Sequence, residues 1–115
     1  MVHTLDRLSS SAASLHGVRT ADVQPGDALI IHTRNSIYVL HVNGDGTVNA
    51  EGGWFAREGQ TGERVRVAGC TFGGSVLLTR MLAAPGMFLE FDNHVRTTRI
   101  REVQHIRPTV PDTIH

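Results

Sequence analysis

Residues 26–42, GDALIIHTRNSIYVLHV, constrain the fold more than any other stretch of the chain. Two runs rich in β-branched and aromatic residues, Ala28–Thr33 and Ile37–Val42, flank a short polar break, the pattern of an antiparallel hairpin. A two-residue turn at Asn35-Ser36 would set Thr33 opposite Tyr38, His32 opposite Val39 and Ile31 opposite Leu40. Facing residues share a sheet face. One face then carries Leu29, Ile31, Thr33, Tyr38, Leu40 and Val42, and the other Ala28, Ile30, His32, Ile37, Val39 and His41. The first face suits a core. The second is also largely apolar and needs cover from another strand, from the N-terminal arm or from another subunit.

The flanking sequence continues in short β segments punctuated by turns. Asn43-Gly44-Asp45-Gly46 is a strong turn signal, followed by a strand over 47–51 and by Trp54-Phe55, two aromatics placed to close one end of the core. Residues 64–68 alternate, with Val65 and Val67 inward and Arg64 and Arg66 outward. An irregular Gly-rich connection is expected over 69–75, then strands over 76–82, 87–91 and 95–98. The spacing of Ile100, Val103 and Ile106 predicts a 3₁₀ turn running into a closing strand. Frequent turns and scarce helical periodicity predict an all-β fold: one small antiparallel β-barrel of SH3-like type with about seven strands, in which closure removes exposed edges. Residues 1–20 read as an arm or a short helix over 4–15, 21–107 as the barrel and 108–115 as a tail.

A chain of 115 residues makes one domain with one core. Its 11 acidic and 11 basic residues cancel, so no global field steers it to nucleic acid or an anionic membrane. All the basic residues are arginine, whose planar fork suits phosphate and carboxylate. A single cysteine, Cys70, fits a reducing compartment, and no apolar run has the length of a membrane span. The expectation is a cytoplasmic protein without membrane contact.

Three kinds of site are conceivable. In the register above, His32 and His41 are cross-strand diagonals about 7 Å apart, within reach of one metal ion, with a third ligand from His94, His105, Glu90 or Asp92. A stripe of Arg64, Arg66, Arg96, Arg99 and Arg101, continued by Arg107, would meet phosphates of RNA or single-stranded DNA. The surplus hairpin face, Ile30, His32, Ile37, Val39 and His41, would bind protein, including a second copy of the chain. Catalysis is not indicated: Gly73-Gly74-Ser75 is not a nucleophile elbow, and no spacing joins Cys70 to a base. No phosphate loop, dinucleotide fingerprint or other cofactor motif is present.

Thr33-Arg34-Asn35-Ser36 with Tyr38, Thr71-Phe72-Gly73-Gly74-Ser75 with Leu77, and Thr97-Thr98-Arg99-Ile100 occur in that order. The set resembles a group of small bacterial proteins without an assigned activity, over about residues 26–106. These often carry Ser-Pro where Thr98-Arg99 stand here. The resemblance implies a compact β domain and no cofactor or catalytic residue. The preferred reading is a non-catalytic module that binds protein or itself.

Overall fold

The structure is a computed structural model that describes residues 13–14, 17–73 and 76–108. The expected helix over 4–15 lies outside the described residues except at its end, and so do Gly74, Ser75 and the tail after Pro108. The order is β1 (Ala13–Ser14), β2 (Val18–Arg19), a 3₁₀ turn (Thr20–Asp22), β3 (Ala28–Thr33), β4 (Ile37–Val42), β5 (Val48–Gly52), helix α1 (Gly53–Arg57), β6 (Glu63–Val65), β7 (Val67–Thr71), β8 (Met81–Ala83), β9 (Phe88–Phe91) and β10 (Ile100–Ile106). The fold is mostly β, and every named strand pair is antiparallel.

Six strands form a sheet in the order β1-β10-β3-β4-β5-β6, and β2-β8 and β7-β9 pair separately. Among the described strands no ladder joins β1 to β6, so the sheet has two edges and barrel closure is not seen. Residues 13–14 and 17–20 belong to the fold: β1 adds an edge strand to β10, in place of helix at 13–14, and Val18 is buried.

The hairpin β3–β4 has the expected bounds but a different register. Ile31 faces Tyr38, Ile30 faces Val39 and His32 faces Ile37. The turn centres on Arg34-Asn35 because Thr33 clamps Ser36. Thr33 N donates to Ser36 O at 2.8 Å, and the Thr33 hydroxyl accepts Ser36 N at 3.1 Å. The slip amounts to two residues, an even number, so each side chain keeps its predicted face. Leu29, Ile31, Thr33, Tyr38 and Leu40 are buried, while Ile37 and His41 are exposed and Ile30, His32 and Val39 half-buried.

Other elements depart from expectation for local reasons. The strand over 64–68 breaks at Arg66, whose N–H and C=O bond to Asp92, and the chain passes there from β6 beside β5 to β7 beside β9. Residues 69–71, expected as loop, are buried strand. Of 76–82 only the end is strand; Val76 and Leu78 are exposed, and Leu78 bridges Cys70. In place of a strand over 95–98 there is one bridge, Glu90 to Arg96. The 3₁₀ turn expected near Ile100 is a β-bulge: the ladder to β3 skips Arg101, so Ile100 and Val103 both point into the core.

One hydrophobic cluster runs through all three sheets, with Leu29, Ile31, Leu40, Phe55, Leu89, Phe91 and Val103 at its centre. From the one-turn helix α1, Phe55 enters this core and Trp54 packs against it. Phe55 meets Phe91 edge-to-face at 5.1 Å between ring centroids, and Tyr38 Oη accepts Trp54 N at 3.2 Å.

Candidate functional site

Two loops and the end of a strand meet where the chain enters β10. Arg34 N donates to Arg99 O at 3.0 Å, and Asn35 N donates to Thr98 Oγ1 at 3.4 Å, so the β3–β4 turn is tied to the segment before β10. Arg99 Nη1 donates to Gly86 O at 3.0 Å, and the same guanidinium lies 4.9 Å from the centre of the Phe88 ring, a cation–π contact. Together Arg34, Asn35, Phe88, Thr98, Arg99 and Arg101 line a cleft of about 480 Å³, within the size range of small-ligand pockets.

The charge in this cleft is one-sided. Neither Arg34 nor Arg101 has a carboxylate partner among the described residues, and Arg99 is bonded to a neutral carbonyl. Three arginines therefore line one concave space with no carboxylate partner among the described residues, and a guanidinium carries five N–H donors suited to an anion. Phe88 adds an apolar floor. Gly73 stands beside it, since a Cβ built on Gly73 would lie 3.6 Å from Phe88 Cε1. Of the stretches that carry the resemblance, 33–36 and 97–100 supply lining residues of this cleft and 71–73 does not.

The arginines expected to form one stripe are divided. Arg99 and Arg101 reach the cleft. Arg64 pairs with Asp45 at 3.3 Å, Arg96 with Glu90 at 3.4 Å, and the Arg66 side chain rests beside Gly46. Arg107 turns to Asp27. Sequence reasoning missed Arg34 because it sits in the hairpin turn rather than near the C-terminal cluster, and it did not single out Phe88.

The histidine pair does not form as expected. With His32 opposite Ile37 and His41 opposite Ala28, the two stand four ladder positions apart, roughly 13 Å along the strands, too far to share an ion. His41 Nε2 lies instead 3.1 Å from Glu51 Oε2. Among the described residues no group of three His, Cys, Asp or Glu side chains is placed to hold a metal.

A second polar cluster is structural. Asp27, only 2% exposed, accepts Gln24 N at 3.0 Å, lies 2.7 Å from His105 Nε2, and takes Arg107 Nη2 at 3.2 Å. Arg107 also donates to Asp22 O at 2.9 Å. Burial alone would raise the Asp27 pKa, but the hydrogen bonds from His105 and Arg107 outweigh it and hold the carboxyl below its ordinary value of 3.8. The cluster fastens the end of β10 to the turn before β3.

Cys70 is fully buried, its Sγ 3.4 Å from Leu82 O, and burial pushes its pKa up to about 11. A thiol so placed stays protonated at neutral pH and is no nucleophile. Gly73 N donates to Thr71 Oγ1 at 3.1 Å, so this amide is not free to join an anion nest. Comparison with known proteins returns no family model, no curated protein and no solved structure that matches the chain.

Proposed function

We propose that the domain is a non-catalytic binding module whose ligand is RNA or single-stranded DNA, held by successive backbone phosphates, one at each of Arg34, Arg99 and Arg101 in the cleft. One observation carries this reading: three arginines line one cleft, and none of them has a carboxylate partner among the described residues. Arginine's planar donors match phosphate oxygens two at a time. Fluorescence anisotropy with a short labelled oligonucleotide tests it. Replacing Arg34 and Arg101 together by alanine weakens binding at least tenfold, whereas Arg64→Ala, removing a residue already paired with Asp45, changes it less than twofold. A double variant that binds like the parent protein sinks the proposal.

The reading as an SH3-like barrel is supported by the single core cluster to which all three sheets contribute. A second reading, self-association, is favoured by Ile37, 52% exposed on the outer hairpin face beside half-buried Ile30 and Val39, with His32 and His41 on the same face. Sedimentation at micromolar concentration checks it: a dimer that Ile37→Glu dissociates is expected, and a strict monomer ends this reading.

A further inference from the structure

Phe72 is 71% exposed, an unusual position for a phenylalanine, and it stands at the end of β7 immediately before Gly73. A Cβ built on Gly73 would lie 3.6 Å from the Phe88 ring, and Phe88 lines the arginine cleft. Phe72 therefore adjoins a residue that neighbours one wall of a cleft lined by three arginines. Proteins that hold single-stranded nucleic acid combine these two features, cations that track the phosphates and an exposed aromatic face on which a base stacks. Phe88 cannot supply that face freely, because the Arg99 guanidinium lies over its ring. The exposed ring of Phe72 has no such occupant among the described residues.

We infer that Phe72 is the stacking platform for a nucleobase next to the phosphates held by Arg34, Arg99 and Arg101, so that the strand bound is single. The inference rests on the nucleic-acid reading of the cleft and narrows it. A duplex keeps its internal bases stacked and offers Phe72 only the faces of its two terminal pairs. Stacking is tolerant of base identity, because every base has a π-face, so the expected selectivity is for single over double strand rather than for sequence.

The test measures three probes on the full chain: a labelled eight-nucleotide single strand, a blunt duplex of the same length, and inorganic pyrophosphate as competitor. Phe72→Ala weakens the single strand at least fivefold and leaves the pyrophosphate affinity unchanged. Phe72→Trp restores single-strand binding to within twofold, and its added fluorescence falls on binding. Because Phe72 is exposed, neither change disturbs the core. If Phe72→Ala binds the single strand like the parent while the Arg34 and Arg101 double variant does not, the stacking role is wrong and the phosphate cleft stands. If neither variant loses affinity, both are wrong. Equal loss of single strand and pyrophosphate in Phe72→Ala, or tighter binding of the duplex than of the single strand, also overturns the inference.

Discussion

Asp27 is a carboxylate with almost no access to water, and its folded pKa lies below its unfolded value. Its contribution to stability is therefore complete above about 3.8 and is lost as pH falls through the lower folded value. Asp45 shifts in the same direction through its bonds from Thr47, so acid unfolding alone does not isolate Asp27. The comparison that does is Asp27→Asn. It is expected to lower stability at neutral pH by about 1.5–3 kcal/mol, the range for hydrogen bonds to charged groups, and to flatten the acid limb of melting temperature against pH. An unchanged acid limb in that variant would remove Asp27 as its source. Cys70 carries a second expectation at this scale. With its pKa near 11 and no exposure, it reacts with a thiol reagent at pH 8 only when denaturant unfolds the domain. Rapid modification of the native protein would contradict its burial. The burial of Cys70 was legible only as a tendency of small residues between strands. The role of Asp27 was not legible at all, since its partner His105 lies 78 residues away and a turn signal explains Asp27 equally well.

At the scale of elements, β3 and β4 were readable to the residue because apolar β-branched runs end at polar breaks on both sides. Their register was not. A turn at Asn35-Ser36 and one at Arg34-Asn35 satisfy the same alternation, and the choice falls to the Thr33 hydroxyl, which clamps Ser36. That slip preserves the faces yet separates His32 from His41, so a metal pair inferred from sequence disappears without any change in the pattern that suggested it. The three-residue spacing of Ile100 and Val103 was likewise a true signal with two physical sources, a 3₁₀ turn and a bulge. The Gly52-Gly53 corner, by contrast, is dictated by space. Gly52 and Gly62 both have φ +85°, but a Cβ on Gly52 would lie 2.1 Å from Ile37 O, and one on Gly62 would meet nothing within 4 Å. Gly62→Ala thus incurs only the backbone penalty, about 1–2 kcal/mol. Gly52→Ala adds a collision with the main chain of β4 and costs about 3 kcal/mol or more. Denaturant midpoints measure the difference; equal midpoints would mean that β4 yields readily at this corner.

For the whole molecule, the balance of 11 acidic and 11 basic residues argues against a polyanion-binding surface, and the reading that follows is local rather than global. The fold pairs Arg64, Arg96 and Arg107 with carboxylates and brings Arg34, Arg99 and Arg101, which have none among the described residues, to one cleft. Sequence alone placed Arg99 and Arg101 in a basic cluster, but only the hairpin turn brings Arg34 to them. The distinction between one spot and a stripe has a quantitative consequence. Each phosphate neutralised on a single strand contributes about 0.7 to the slope of log affinity against log salt, so a cleft of three arginines gives a slope of magnitude about 2. A stripe that also engaged Arg64, Arg66 and Arg96 would give about 4. Oligonucleotide titrations from low to high salt are therefore expected to give a slope near −2. In the Arg34 and Arg101 double variant the slope should fall toward −1 as two phosphate contacts are lost. A parent slope near −4 would place the ligand across the divided stripe and outside the cleft, and a slope near zero would mean that phosphates are not what these arginines hold.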